Sequence, residues 1–221
     1  RQHGVIQIGY LNHDGGISSI DPSTGKLTGV ITDYVDIAKD CLQGQTLKFE
    51  LKGYDTRSEL LQALHDGKID LIFHANQNPY FAETNGFSLS DTLLTLNMAA
   101  ITAKDSFDEN KENIAAIEKD NFALKAYLSY NYPQWKIVEY ETSKAAVKAM
   151  QKEEADCIVS NSVTVSDYLK NNKLHSVFLT KEADVSFAVQ QGEPILLSVL
   201  NKTLTSMPTT QFSGAVVSYH D

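Results

Sequence analysis

The sequence predicts an α/β protein built from two similar lobes, and three observations predict it. Short apolar runs alternate along the chain with segments of helical period, as in strands that alternate with crossover helices. One strand–helix–strand unit occurs twice. The apolar runs inside both copies are continuous rather than alternating, as expected of strands covered on two faces.

The repeat is visible residue by residue. Tyr54-Asp55-Thr56 returns as Tyr140-Glu141-Thr142, 86 positions later. At the same offset Leu61 meets Val147, Ala63 meets Ala149, Leu64 meets Met150 and Asp70 meets Asp156. The first copy reads as a strand at Leu47–Leu51, a helix over Arg57–Asp66 and a strand at Asp70–Phe73; the second as Lys136–Tyr140, Lys144–Lys152 and Asp156–Ser160. Leu60, Leu61 and Leu64 make one helical face, as Val147 and Met150 do in the second copy. Thr56 with Glu59 fits a capping box, and Gly67 supplies a stop where the chain must turn left-handed. Leu71-Ile72-Phe73 and Cys157-Ile158-Val159 are the continuous apolar runs.

The other elements are placed around this pair. Val5–Tyr10 alternates as an opening strand, and residues 12–26, rich in Gly, Asp and Ser, form a long loop or hairpin. Tyr34, Val35, Ile37, Ala38, Cys41 and Leu42 mark the first helix. Leu93–Ala103 is apolar and extended, and Lys104–Asn113 is charged and structureless. Ile114–Ile117 is a strand and Phe122–Asn131 a helix. Val163–Lys170, Leu196–Met207 and Gln211–Tyr219 are further helices, with strands at Ser176–Thr180 and Val185–Val189.

Composition narrows the function classes. The 221 residues carry a formal charge of −9 without any long basic run, which disfavours nucleic acid and anionic membrane surfaces as partners. No apolar stretch is long enough to span a bilayer. With Arg rather than Met at position 1 and no signal-like segment, the sequence reads as a mature form or a piece of something longer. Cys41 and Cys157 read as small buried hydrophobes rather than a disulfide. His3, His13, His65, His74, His175 and His220 lack metal-ligand spacing, so no metal and no cofactor is expected. There is no G-x-S-x-G, P-loop or HExxH motif. Ser23-Thr24-Gly25-Lys26 matches S-x-x-K but lies in a turn. Glu118 and Asp120 could act as acid and base, although acids beside a helix start more often serve its dipole. Catalysis is therefore the competing reading and not the favoured one, and the chain is not expected to be an enzyme.

Several segments together resemble the family 3 extracellular solute-binding proteins. Val5–Tyr10 followed by Gly25-Lys26-Leu27-Thr28-Gly29 and Asp33-Tyr34 is similar to that family's opening. Leu64, Gly67-Lys68 and Asp70-Leu71-Ile72 match its L-x-x-G-K-x-D-L-I core. Phe87-Ser88-Leu89-Ser90-Asp91 resembles its F-S-x-P-Y segment, and Ala155–Val159 and Phe187–Val189 through Asn201-Lys202 match later landmarks. The resemblance implies a type II periplasmic-binding-protein-like (Venus flytrap) fold. It would have a mixed, mostly parallel sheet in each lobe and two crossover hinge strands. Residues 1–96 and 190–221 would form lobe 1, and 97–189 lobe 2.

The segment Pro208-Thr209-Thr210-Gln211 and Phe212–Tyr219 departs from the ending of transport receptors and resembles the sensor variants in extracellular regions of bacterial histidine kinases and diguanylate cyclases. The resemblance implies an extracellular or periplasmic sensor module closing on a small polar solute. It would be tethered to the cytoplasmic membrane through the signalling region of the same polypeptide, through which any dimer would form. The alternatives are a solute receptor serving an ABC permease and, less favoured, an enzyme derived from a periplasmic binding protein.

Ligands of open α/β sheets bind beyond the carboxyl ends of the strands. Four loops qualify: Tyr10, Asn12, His13 and Asp14 after the first strand; His74, Asn76, Asn78, Tyr80 and Phe81 after Phe73; Glu118, Lys119, Asp120 and Asn121 after Ile117; Ser160 and Asn161 after Val159. From these, Tyr10, Asn12, His13, His74, Asn76, Tyr80, Lys119, Asn121 and Asn161 are the candidate ligand contacts. Amides and hydroxyls would hydrogen-bond the solute and an aromatic ring would stack on it, while N–H groups before Phe122 would favour an anionic group. Structural roles compete: Asp120 or Asn121 can cap a helix, His74 can be a core histidine, and Asn78-Pro79 is a natural turn. Phe81 stands where amino-acid receptors of the family carry an Arg for the α-carboxylate. Asn161 stands where they carry an Asp for the α-ammonium, and Lys119-Asp120-Asn121 replaces their Lys-Gly-Thr loop. These departures point to a neutral or weakly charged polar solute, or to none.

Overall fold

The computed structural model describes residues 4–14, 17–42, 47–76, 79–170 and 173–206. The expected helix at Gln211–Tyr219 lies outside them. In chain order, β1 (Val5–Leu11) leads into three short strands, β2 (His13–Asp14), β3 (Ser18–Ile20) and β4 (Leu27–Thr28), which pair antiparallel. Then come α1 (Val30–Cys41), β5 (Lys48–Tyr54), α2 (Arg57–His65), β6 (Leu71–Asn76), α3 (Pro79–Asn85), β7 (Phe87–Leu89), β8 (Leu94–Leu96) and β9 (Met98–Thr102). The chain continues through β10 (Ile114–Glu118), α4 (Phe122–Asn131), β11 (Lys136–Tyr140), α5 (Ser143–Gln151), β12 (Ile158–Asn161), α6 (Val165–Leu169), β13 (His175–Phe178), β14 (Ala183–Gln190) and α7 (Pro194–Ser206).

Two compact units result, Arg1–Leu94 with Asp184–Asp221, and Thr95–Ala183, so the chain passes between them twice. In the first, the sheet runs β5-β1-β6-β14-β7; β5 and β6 are parallel to β1, and β14 is antiparallel to β6 and β7. In the second, β10 pairs parallel with β11, and β9 lies antiparallel between β12 and β13. A parallel bridge from Ala115 to Cys157 joins the two sets. The sheets are mixed as expected, with antiparallel pairing more prominent than a mostly parallel sheet implies. The sequence does not reveal that balance, because a two-faced strand looks apolar whichever way its neighbour runs.

The core of the first unit is aromatic. The Tyr34 ring lies 4.8 Å from Phe187 and 6.0 Å from Phe73, all three buried. The Tyr34 hydroxyl meets Thr203 Oγ1 at 3.0 Å and so joins α1 to α7; burial pushes its pKa up to about 12. The second unit packs Ile101, Ala116, Ala146, Met150, Ala155 and Ile158. In the same unit an aromatic clasp secures the charged stretch. Tyr132 stacks on Trp135 at 4.4 Å, Trp135 Nε1 donates to the Glu109 carbonyl and the Tyr132 hydroxyl donates to the Glu109 carboxylate. Residues 104–113 contain neither helix nor strand, yet Glu109 pins them.

The duplicated unit persists in atomic detail. Thr56 Oγ1 accepts from Glu59 N–H at 3.2 Å, and Thr142 Oγ1 from Ala145 N–H at 3.1 Å. Asp70 takes the Gln7 N–H on its carboxylate at 2.8 Å, and Asp156 takes the Ile114 N–H at 2.7 Å. Both helices end in the same turn: Lys68 N–H reaches the Ala63 carbonyl and Glu154 N–H the Ala149 carbonyl, each at 2.9 Å. Gly67 takes φ 70° there and Glu153 takes φ 61°. The recurring acids and threonines are therefore fasteners of the fold.

Two expectations are corrected and a third is refined. Residues 79–85 form α3 rather than a loop, because Pro79 at the first helical position starts a helix with its φ already set. The Leu93–Ala103 segment is extended as expected, in two strands separated at Asn97. Cys41 ends α1 on its exposed side, so only Cys157 is a buried hydrophobe; burial raises the Cys157 thiol well above its usual range.

Candidate functional site

In the first unit the carboxyl ends of β1, β5 and β6 bring polar side chains close. Asn12 Nδ2 donates to Asp55 Oδ1 at 2.9 Å, and the exposed His13 Nε2 lies 3.7 Å from the same oxygen. His74 Nε2 meets Asp14 Oδ2 at 3.1 Å, both side chains largely buried. Burial would raise the Asp14 carboxyl, but the His74 hydrogen bond and charge, helped by Arg57, outweigh it and hold the carboxyl below its ordinary range. An ionised Asp14 only accepts, so His74 Nε2–H is the donor of this bond. Tyr10, at the end of β1, is buried, and burial raises its phenol.

Gly53, on β5, shapes the floor. A Cβ there would sit 2.0 Å from Asn12 Oδ1 and 3.0 Å from Tyr10 Cζ, so only a hydrogen lets those side chains lie across the strand. Neither Gly53 nor Asp55 is among the nine candidates read from the sequence. Asp55 had a signal, because its place in the repeated Tyr-acid-Thr triplet marks it; Gly53 had none short of three dimensions.

In the second unit the equivalent strand ends carry Lys119, Asn121 and Asn161. Lys119 Nζ reaches Glu141 Oε1 at 3.2 Å on an exposed surface, as Asn12 reaches Asp55. Asn121 is the N-cap of α4, its Oδ1 accepting from Leu124 N–H at 3.3 Å. Asn161 Oδ1 accepts from the N–H groups of Val163 and Thr164, both at 3.0 Å. The Ser143 hydroxyl is 3.4 Å from Glu118 Oε2. The structure thus joins Asn12 and His13 through Asp55, couples His74 to Asp14, and gives Asn121 and Asn161 backbone roles. Asn76 ends β6 and Tyr80 lies in α3, while Asn78 falls outside the described residues. Among the described residues no group of three or more His, Cys, Asp or Glu is placed to hold a metal ion, and no helix is long and apolar enough to cross a membrane.

No protein-family model matches the chain. Among solved structures, the periplasmic VFT2 domain of Bordetella pertussis BvgS superposes with a TM-score of 0.80 at 23% identity, covering 98% of this chain and 94% of that one. The chain has the type II periplasmic-binding-protein fold. The same fold in a Neisseria gonorrhoeae solute receptor for L-cysteine matches with a TM-score of 0.73 at 19% identity, over 98% of this chain and 89% of the receptor. In sequence, the Bordetella pertussis virulence sensor protein BvgS is 25% identical over 96% of this chain. The chain spans 17% of that relative's length. Sensor and binding proteins therefore share this periplasmic-binding-protein fold with the chain.

Proposed function

We propose that this chain is a solute-sensing module of a bacterial membrane signalling protein, placed outside the cytoplasm and responding to a small polar molecule. The observation that carries the reading is the likeness to a sensor protein's VFT2 domain over nearly the whole chain, together with polar side chains gathered where this fold class binds ligands. Asp14, His74, Asn12 and Asp55 in the first unit offer both donors and acceptors. With Phe81 where the amino-acid receptors it resembles place an Arg, a solute held through a bidentate guanidinium fork fits poorly. A neutral or weakly charged solute with hydroxyl or amino groups fits better. Solute occupancy alters a linked signalling region only in proportion to the difference in affinity between two states of the module.

A second reading, a receptor delivering its solute to an ABC permease, draws on the likeness to the L-cysteine receptor. The full-length gene separates the two, since a sensor requires a transmembrane segment and a signalling region in the same polypeptide. For binding itself, the chain is unfolded, desalted and refolded to remove carried solute, then melted against a wide panel of polar metabolites. The proposal expects at least one stabilising solute; a panel without one refutes it.

A further inference from the structure

Glu109 holds more than its own segment. Both of its carboxylate oxygens accept from the Thr180 N–H, at 3.2 and 3.1 Å, from 71 positions away in the sequence. The next residue is held as well, the Tyr127 hydroxyl donating to the Lys181 carbonyl. Leu179, one residue earlier, gives its N–H to the Met98 carbonyl at 2.8 Å. Thr180, Lys181 and Glu182 are exposed and belong to neither β13 nor β14, where a connecting segment is ordinarily loose. They directly precede Ala183, where β14 begins and after which the chain passes into the first unit.

The other partners in these bonds belong to the end of α4. Tyr127 and Tyr132 are buried, and the Tyr132 hydroxyl donates to the same Glu109 carboxylate that takes the Thr180 N–H. Burial first, and then the Glu109 carboxylate, push the Tyr132 phenol up to about 12, so it remains a donor at neutral pH. Asn131 Nδ2 donates to the Tyr127 carbonyl at 2.9 Å and braces the last turn of the helix. Bonds to an ionised acceptor are the strong ones. We propose that residues 104–113 act as a strap, with Glu109 as its positioning residue, that fixes the start of the crossover strand β14 to the end of α4. The crossover strand then becomes free to pivot only after Ala183, and not from the end of β13. The other end of α4 adjoins Lys119 and Asn121, so these candidate contacts and the fixed end of β14 ride on one rigid body. A solute that reorients that rim carries Thr180–Ala183 with it. The strap itself rests on the hydrogen bonds; its use in signalling rests on the sensing proposal and deepens it by naming the element that transmits occupancy.

The test reads the Thr180 amide in the 15N-labelled chain without added solute. The strap predicts slow hydrogen exchange there although the residue is exposed. Glu109→Ala should speed it by about tenfold or more, because a bond to a charged acceptor is lost, while the amides of β9 and β12 keep their rates. Glu109→Gln leaves a side-chain oxygen for the Thr180 N–H and should recover much of the protection, whereas Glu109→Met, of similar size, should not. Tyr132→Phe removes only the hydroxyl that orients Glu109; it should give a smaller acceleration and serves where Glu109→Ala does not fold. Residual dipolar couplings supply the geometric readout. In the unaltered chain the N–H couplings of residues 180–183 should fit the alignment of α4, and in Glu109→Ala they should depart from it. A Thr180 amide that exchanges freely in the unaltered chain, equal rates in Glu109→Gln and Glu109→Met, or couplings that fit α4 in both chains would each overturn the strap. A metabolite panel without a stabilising member counts against the sensing proposal and leaves the strap standing, so the two failures are distinguishable.

Discussion

The two strand–helix–strand units share a frame and differ in what they place on it. Each has a capping Thr, an Asp that clamps the central strand and a left-handed helix stop. In the first, β5 ends with Gly53 and Tyr54, and Gly53 lets Tyr10 and Asn12 lie across the strand. In the second, the residue corresponding to Gly53 is Glu139, tied to Lys125 Nζ at 2.8 Å. The first unit also buries an Asp14–His74 pair, whereas the second places the capping Asn121 and the turn-forming Asn161 at its strand ends. A shared frame with unlike rims is how a duplicated scaffold holds its geometry while its ligand chemistry diverges.

The frame can be broken asymmetrically. Asp156 holds the Ile114 N–H and the Lys104 ammonium, whereas Asp70 holds the Gln7 N–H. Asp156→Ala is expected to cost about 2.5 kcal/mol and Asp70→Ala about 1.5 kcal/mol, since both lose an amide-to-carboxylate bond and only Asp156 also loses an ammonium partner. Chemical denaturation of the two variants checks the order; equal losses would mean that Lys104 contributes nothing.

Acid should act through the same carboxylates. Burial would raise Asp156, but the Lys104 ammonium and the Ile114 N–H hold it below its ordinary range, and Asp14 is likewise held low against burial by His74. A carboxyl depressed in the folded state contributes stability in full above its unfolded value. That contribution is lost as pH falls through the folded value, so the loss falls below about pH 4. Melting temperature against pH should decline there, and Asp156→Asn should flatten part of the decline.

The caps should prove interchangeable. Thr56→Ala and Thr142→Ala are each expected to cost about 1 kcal/mol, measured by urea unfolding, and a large difference would show that the two helix starts are not equivalent. The helix stops should show effects no larger than the caps and of opposite signs. Glu153→Gly relieves a left-handed residue and is expected to stabilise by about 0.7 kcal/mol, while Gly67→Ala destabilises by about 1 kcal/mol. A destabilised Glu153→Gly would mean that the glutamate side chain makes up for its backbone.

Much of this frame is legible in the sequence because caps, stops and two-faced strands are local. The Tyr-acid-Thr triplet, Gly67 and the Leu71–Phe73 run each announce their element within a few residues. The rim is less legible. An Asn before a helix reads alike whether it caps or binds, and only the bonds from Asn121 to Leu124 and from Asn161 to Val163 decide. Ser186 sits inside an ordinary apolar strand, and the register shift beside it becomes visible only when β6 lies next to β14. Pro79 carried a signal for α3, overshadowed by the turn tendency of Asn78-Pro79.

The most direct test tracks amide chemical shifts of the chain while a stabilising solute from the metabolite panel is titrated. A solute at about 100 times its dissociation constant should raise the melting temperature by about 5–10 °C. The account predicts that the amides that move include residues 10–14 and 74–75, at the carboxyl ends of β1 and β6 in the first unit. Shifts centred on the opposite, amino ends of those strands would contradict it.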